Sequence, residues 1–189
     1  MSDTILALDS SGGHCAVALL WHGQLVFEEV VAMTKGQAEM MPVMIDRCLN
    51  DRPKDQIDRI AVGIGPGNFT GTRVAVALAR GIALALGRPA ISVSNFELLF
   101  DPARVPSGKH TRVLPGPQNT GLAQDFEGIT AVGAPYQISA ADNALLPEET
   151  LKRLLAYGAL KPISARPAPL YVRPPDAALP ATPPPRHLR

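Results

Sequence analysis

The sequence predicts an α/β fold with a mixed five-stranded sheet in a first lobe and a reduced second lobe. In residues 1–100, short apolar runs alternate with longer amphipathic segments in the order β-β-β-α-β-α-β-α. Of the 19 prolines, only 4 lie in that half and 15 lie in residues 101–189. The chain therefore divides into a regular lobe at 1–100, a shortened irregular lobe at 101–165, and a basic, proline-rich tail at 166–189.

The first three strands are expected to form an antiparallel meander. The apolar runs Thr4–Leu8, Cys15–Trp21 and Leu25–Val31 are joined by the short polar turns Asp9–Gly13 and His22–Gln24. Parallel pairing would need crossovers of a dozen or more residues, so these strands should pair antiparallel.

Helices separate the strands that follow. The segment Gly36–Leu49 has a broad apolar face and predicts a helix, with Pro42 in its first turn, where proline is tolerated. The run IAVGIG is a fourth strand, and Thr70–Leu86 is a second helix that ends at a glycine. After the fifth strand, AISV, the capping box Ser94–Glu97 opens a short helix.

This order of elements is that of a ribonuclease-H-like domain. Three antiparallel strands followed by parallel strands added through helices form the unit from which the actin–Hsp70–sugar-kinase (ASKHA) superfamily builds each lobe. The second half holds one clear helix, PEETLKRLLAYGAL, and short strand-like runs among prolines. It shows no complete second copy of the first unit, which predicts a reduced second lobe.

Composition and charge describe an ordinary soluble globular protein. Hydrophobic residues make up 46% of the chain, charged residues 19%, and the formal net charge is +1. No overall field would attract nucleic acid or an anionic membrane, so any contact with tRNA or DNA must use a local patch or a partner. The start, MSDTILALDSS, lacks a basic leader segment, which predicts a cytoplasmic protein without membrane contact. Cys15 and Cys48 lie in apolar runs and are expected to be buried, reduced thiols.

The most unusual stretch is the loop GIGPGNFTGTR, which joins the fourth strand to the second helix. It lacks the lysine and the spacing of a P-loop, and its GxGxxxG pattern is not the dinucleotide-binding fingerprint. Gly65 and Gly67 are expected to supply unusual φ angles and Thr70 to cap the helix. A helix amino terminus with Arg73 in its first turn could also hold an anion. Two readings stay open: a structural turn, or a binding or interface loop.

The helix after this loop favours the interface reading. It consists largely of Ala, Val, Gly and Leu, and it is apolar on nearly all sides. Such a helix is either deeply buried or part of an interface, and in a domain of this size an interface is credible.

The motifs ILALDSS, GPGNFTGTR, ISVSNFELL and PLYVRPPDA together resemble the TsaB (YeaZ) family, a glycoprotease-like family named after peptidase M22. The likeness is close over residues 4–100 and returns at Pro169–Ala177. It implies an actin/Hsp70-type fold and a non-catalytic protein in the cytoplasm. It further implies pairing with a TsaD-like transferase and action with a TsaE-like ATPase to form threonylcarbamoyladenosine on tRNA, which is contacted indirectly through the complex.

The resemblance also implies homodimers, formed through the same helical face that is offered to the transferase. The loop and the two helices around it then supply the interface. The expected interface residues are Gly65, Pro66, Gly67, Asn68, Phe69, Thr70, Gly71, Arg73, Val74, Ala77, Leu78, Gly81, Leu84, Met41, Met44 and Ile45.

Two departures from the family pattern affect the expected chemistry. The family commonly has Gly-His-Ala/Ser-Glu where this chain has Gly36-Gln37-Ala38-Glu39, which removes the most plausible metal ligand or base from that helix. The second lobe is shortened and proline-rich. We therefore expect no bound metal and no cofactor of the chain itself, with ATP only at a partner interface.

Catalytic alternatives have weaker support in the sequence. Asp9, Ser10 and Ser11 occupy the hairpin where superfamily ATPases bind phosphate and Mg²⁺, so a weak nucleotide contact there is one alternative. A reduced sugar- or acetate-kinase-like phosphotransferase would need a second phosphate loop, which the sequence does not show. A dimeric paralogue outside the tRNA pathway is a further alternative.

Protease chemistry is not predicted. The histidines, at 14, 22, 110 and 187, include no HExxH pair. His14 and Cys15 are neighbours on a strand and should face opposite sides, so no catalytic residue is assigned.

The tail carries Arg166, Arg173, Arg186 and Arg189. It is either a solvated extension or an electrostatic tether for tRNA or a partner.

Overall fold

The computed structural model describes residues 3–100, 104, 107–116, 120–139, 147–163 and 166–172. Its elements are, in chain order, β1 (Ile5–Asp9), β2 (His14–Trp21), β3 (Gln24–Ala32), α1 (Gln37–Leu49), a 3₁₀ turn (Lys54–Gln56), β4 (Arg59–Gly63), α2 (Phe69–Leu86), β5 (Ala90–Val93), α3 (Asn95–Leu98), β6 (Lys109–Pro115), β7 (Thr120–Glu127), β8 (Thr130–Ser139) and α4 (Pro147–Leu160).

The first five strands form one mixed sheet in the order β3-β2-β1-β4-β5. The first three pair antiparallel, with Leu8 opposite Val17, and β4 adds parallel to β1, with Leu8 opposite Val62. This confirms the predicted ribonuclease-H-like sheet. The short loops between β1, β2 and β3 permit only antiparallel pairing, whereas α1 and α2 provide the crossovers that parallel pairing requires.

The central strand β1 is buried along its whole length because helices cover both faces of the sheet. Leu6 and Leu8 point into a core formed with α1 and α2. Ile5 and Ala7 point the other way, into a core that includes Leu154 of α4. This alternation is the period of two that a β-strand imposes on its side chains.

Helix α4 lies in the range predicted for the second lobe, yet it packs on the five-stranded sheet. Gly158 permits the close approach, because a Cβ there would lie 2.9 Å from the Cβ of Ala61 and 3.1 Å from Cγ2 of Ile5. The Arg59 guanidinium donates to the carbonyls of Gly158, Ala159 and Lys161 near the end of the helix, at 3.2 to 3.3 Å. These bonds satisfy carbonyls that a helix end leaves without partners.

The residue after α4 ties it to the edge of the sheet. The ammonium of Lys161 donates to the Ser92 carbonyl at 2.7 Å and to the Glu97 carboxylate at 2.6 Å. The other oxygen of Glu97 accepts from the Ser94 amide at 2.7 Å and completes the predicted capping box. One carboxylate therefore links the start of α3 to the end of α4.

Strands β6, β7 and β8 form a separate antiparallel sheet. Phe126 of β7 is buried against Phe100, with ring centroids 5.0 Å apart in an edge-to-face arrangement. The outer strand β8 is largely exposed, including Val132 and Tyr136.

Both long helices of the first lobe begin differently from the prediction. Pro42 is the sixth residue of α1 rather than part of its first turn, and its missing N–H leaves the Ala38 carbonyl without a helical donor. Both residues lie on the exposed side, where water can supply that donor. The cap of α2 is Asn68 rather than Thr70: its side-chain oxygen accepts from the Gly71 amide at 3.0 Å.

By length and composition alone α2 could cross a membrane, with a mean hydropathy of 1.4. In this structure one side of it packs on the sheet through Gly71, Thr72, Ala75, Val76 and Ala79. Its high apolar content reflects that buried side together with an exposed side described below.

Candidate functional site

The glycine loop between β4 and α2 packs tightly against the turn that follows β1. A Cβ on Gly67 or Gly71 would lie closer than 3.0 Å to the carbonyl oxygens of Ser11 and Ser10 respectively, which real Cβ atoms essentially never do. The Asn68 amide donates to the Ser11 carbonyl at 2.6 Å. Gly65 has the expected positive φ, 80°, but Gly67 does not, so the prediction for Gly67 was wrong. Close approach of two backbones requires that glycine, which local sequence does not reveal.

A second set of hydrogen bonds fixes the same loop from the side of α3. The Asn95 amide donates to the Gly65 carbonyl at 2.8 Å, and its side chain donates to the Pro66 carbonyl at 2.9 Å. Asn95 also bonds to the Ser11 hydroxyl at 2.9 Å. The loop is therefore anchored on two sides, and its amides at Asn68 and Gly71 are already used within the protein.

Asp9, at the end of β1, is fully buried and pairs with His14. Its Oδ2 atom lies 2.7 Å from Nε2 of His14 and accepts from the Ser11 amide at 3.3 Å. Its Oδ1 atom lies against Gly63, where a Cβ would overlap it. Asp9 therefore makes a contact within its own turn, and sequence reasoning missed its pairing with His14. Asp and His at i and i+5 across a tight hairpin turn would have been the signal.

A cavity of about 250 Å³ opens beside this pair, between the two sheets. Asn95 and Thr150 provide polar groups, and Leu98 and Leu114 line apolar walls. Within the described residues, no three His, Cys, Asp or Glu side chains cluster to hold a metal ion. Within Asp9, Oδ2 is engaged by His14 and by the Ser11 amide, whereas the buried Oδ1 has no hydrogen-bond partner among the described residues.

The cysteines are unsuited to nucleophilic chemistry. Burial, together with the nearby Asp9 carboxylate, raises the pKa of the Cys15 thiol to about 11. Burial likewise raises the pKa of Cys48 to about 12, although Arg52 opposes the shift. Only the thiolate is a strong nucleophile, so both groups are inert near neutral pH. Gln37 is buried beside Cys15, whose Sγ lies 3.9 Å from the Gln37 carbonyl.

The histidines are dispersed. His22 occupies the β2–β3 turn, where Trp21 contacts its ring edge, and His110 stacks on Phe126. His187 lies outside the described residues. The pairing of His14 with Asp9 is the one His–carboxylate contact among the residues described here.

Helix α2 exposes the opposite side from the one it packs on the sheet. Leu84 is 76% exposed, and a Cβ added to Gly81 would meet nothing within 4 Å. The predicted interface residues of the loop and α2 differ in burial. Seven are exposed: Gly67, Phe69, Thr70, Arg73, Ala77, Gly81 and Leu84. Three are half-buried (Asn68, Val74 and Leu78), and three are buried (Gly65, Pro66 and Gly71). The exposed and half-buried members form a continuous surface, which we call the α2 face.

The contribution predicted from α1 needs correction. Met41 and Met44 are fully buried in the core beneath the helix, whereas Ile45, which is 8% exposed, also lines the groove between α1 and α2. Where α1 borders α2, it presents Pro42, Asp46 and Leu49 to the groove between the two helices. A helix apolar on several sides does not reveal which side meets the sheet.

A shallow apolar groove of about 300 Å³ runs between the two helices and borders the α2 face. Leu78, Ile82 and Ala85 line it from α2, and Pro42 and Leu49 line it from α1. Two helices and a groove of this kind form a surface that a further pair of helices could cover.

The two motifs most typical of the family contact each other in space. The Leu170 amide donates to the Ile64 carbonyl at 2.8 Å, which places the PLYV segment beside the loop. Tyr171 accepts from Nε of Arg73 at 2.7 Å, and the Arg73 guanidinium stacks on the Phe69 ring at 3.6 Å. This cluster joins residues about one hundred positions apart, so local sequence patterns could not predict it.

Comparisons with known proteins agree with this architecture. The family described as TsaD, tRNA N6-adenosine threonylcarbamoyltransferase, matches residues 32–121. The tRNA threonylcarbamoyladenosine biosynthesis protein TsaB of Haemophilus influenzae is 37% identical over 102 residues, which are 53% of this chain and 43% of that protein. The protein of the same name from Bacillus subtilis is 31% identical over 140 residues, 71% of this chain and 61% of that protein. The chain thus spans about half the length of these curated relatives.

Solved structures show the same fold. A Pseudomonas aeruginosa protein, described as uncharacterized with similarity to peptidase YeaZ, superposes with a TM-score of 0.71 at 23% identity, covering 90% of this chain and all of that one. The family-model match at residues 32–121 includes the glycine loop and α2. Together, the curated relatives and the matching family model support the TsaB (YeaZ) family for this chain.

Proposed function

We propose that this protein is a non-catalytic TsaB-like subunit. It binds a TsaD-like transferase and, together with a TsaE-like ATPase, promotes threonylcarbamoyladenosine formation on tRNA. The names of its relatives support the pathway. The observation that carries the role of subunit is the α2 face, an apolar surface that the described part of the chain leaves uncovered.

The α2 face has the properties of a surface that is covered in an assembly. Leu84 is 76% exposed, and Phe69 at the start of the same helix is 42% exposed. Complete burial of one such side chain stabilises an interface by roughly 1.5–3 kcal/mol. Gly81 and Ala77 between them are small, which lets another helix approach closely. We expect the same face to form homodimers when the transferase is absent.

The site near Asp9 supports a non-catalytic role. The carboxylate is held by His14 and Ser11, and the neighbouring Cys15 thiol is protonated at neutral pH. No described group in the cavity combines exposure with the reactivity that a nucleophile needs. We propose that the chain has no cofactor of its own and that ATP acts only where partners meet.

The test measures binding of the TsaD-like transferase from the same organism. Leu84→Asp places a charge on the α2 face without disturbing the core and should weaken the complex at least tenfold by isothermal calorimetry. Val132→Asp adds the same charge on the exposed strand β8 and should leave affinity unchanged. Unaltered binding of the Leu84 variant would refute this use of the face.

A cellular assay tests the pathway. The chain should restore threonylcarbamoyladenosine in tRNA of a strain depleted of its own TsaB, as measured by nucleoside mass spectrometry, and the Leu84 variant should not. Turnover of Mg-ATP by the isolated chain would instead favour the phosphotransferase alternative.

A further inference from the structure

A second surface on α2 differs in chemistry from the apolar one. The segment 166–171 lies alongside the helix, and two adjoining cavities of about 430 and 310 Å³ separate them. Arg80 lines both, Arg73 and Tyr171 line the first, and Arg88 and Arg166 line the second. We call this channel the basic groove.

The positive charge of the basic groove is uncompensated. Among the described residues, its lining contains four arginines and no Asp or Glu. Within the described part of the chain none of the four forms an ion pair, and Arg80 and Arg166 make no hydrogen bond. The net charge of the whole chain is only +1, so this patch is a local concentration. Exposed guanidinium groups without carboxylates favour an anionic ligand.

The spacing of the arginines suits an extended ligand rather than one small anion. Arg73 and Arg80 are separated by two helical turns and lie about 10 Å apart along the axis, on one side of α2. Ala77 lies between the two arginines, and its small side chain fills little of the groove. Each guanidinium can bind one phosphate through two parallel N–H groups.

Aromatic rings at one end favour nucleic acid over an acidic protein. Phe69 is 42% exposed and Tyr171 is 40% exposed, and both contact Arg73. Partly exposed rings beside arginines stack on unpaired bases, a use that an acidic peptide does not have. Beyond Val172 the sequence contains three arginines, Arg173, Arg186 and Arg189, and one acidic residue. This further excess of positive charge also favours an anionic ligand.

We infer that the basic groove binds the phosphate backbone of RNA, so that this subunit contacts the tRNA directly. The inference rests on the proposed function, since the pathway names in the relatives identify the nucleic acid as tRNA. The basic groove shares Arg73, Ala77 and Leu84 with the α2 face, whereas the apolar groove beside α1 is lined by other residues of α2.

The experiment measures fluorescence anisotropy of a labelled RNA stem-loop with the full chain over a range of salt concentrations. Four phosphate contacts predict a slope of log affinity against log salt of about −3, at about −0.7 per contact for single strands. Arg80→Gln and Arg166→Gln should each weaken binding roughly three- to tenfold and reduce the slope by about 0.7. Arg47→Gln removes the same charge from α1, where Arg47 pairs with Glu29, and should leave both unchanged.

Four outcomes would overturn the inference: no RNA binding at low salt, an Arg47 effect equal to that of Arg80, unchanged binding by the Arg80/Arg166 double variant, or equally tight binding of poly-glutamate. The same double variant should bind the TsaD-like transferase normally. If the wild type binds the transferase but not RNA, this inference fails while the proposed function stands. If it binds RNA but not the transferase, the proposed function fails and the groove stands.

Discussion

Two glycines of the same segment should respond in opposite ways to substitution. Gly81 lies on the α2 face, where an added Cβ meets nothing within 4 Å, whereas a Cβ on Gly67 would overlap the carbonyl oxygen of Ser11. Gly81→Leu should therefore leave the isolated fold intact. Because leucine favours helix over glycine by roughly 0.8 kcal/mol, the monomer should become slightly more stable.

Gly67→Ala should destabilise the first lobe instead. The backbone of Ser11 must move away from the new methyl group, which strains the 2.6 Å bond from the Asn68 amide. Overpacking of this kind costs about 1–3 kcal/mol. For a chain of this size each kcal/mol shifts Tm by roughly 2–4 °C, so we expect Tm to fall by about 2–12 °C. Gly81→Leu should raise it by up to a few degrees.

Association separates the two variants further. Gly81→Leu should abolish homodimers and weaken transferase binding, because a leucine prevents close approach of a partner helix. Gly67→Ala protein that remains folded at low temperature should still associate. Calorimetric melts and sedimentation at micromolar concentration measure both properties. A Gly81→Leu protein that dimerises and binds the transferase normally would show that the interface lies elsewhere.

Three further predictions concern the rest of the fold. Cys15 and Cys48 should resist a thiol reagent at pH 8 until the protein is denatured. Burial raises their pKa values to about 11 and 12, so the reactive thiolate forms only at higher pH. Rapid labelling of the native protein would contradict this prediction. Lys161→Met should lower the free energy of unfolding by about 1–3 kcal/mol, as measured by urea titration. The Glu97 carboxylate and the Ser92 carbonyl would lose a mostly buried hydrogen-bond donor. An unchanged urea midpoint would show that these contacts contribute little to stability. Elemental analysis of the purified protein should find no stoichiometric zinc or iron; one metal per chain, lost on mutating a histidine, would refute this.

Some features follow from neighbours in the chain and were predictable from sequence. The meander depends on turn residues between apolar runs, and the capping box depends on Ser94 and Glu97 three positions apart. The parallel placement of β4 and β5 follows because their connections are long enough for crossovers. Local patterns also located the glycine loop, although its reason for glycine at 67 is a contact with a distant turn.

Other features depend on which surfaces meet after the chain folds, and only the tertiary structure decided them. When a helix is apolar on several sides, its sequence does not show which side is buried. The burial of Met41 and Met44 and the exposure of Leu84 therefore followed from how α1 and α2 pack on the sheet. The pairing of Arg73 with Tyr171 and the row of arginines beside segment 166–171 join parts of the chain far apart in sequence. The sequence by itself therefore determined the sheet, because short-range periodicity and turn chemistry specify it, and its motifs carried the family resemblance. Long-range packing assigned the faces, because burial is a property of the whole folded chain.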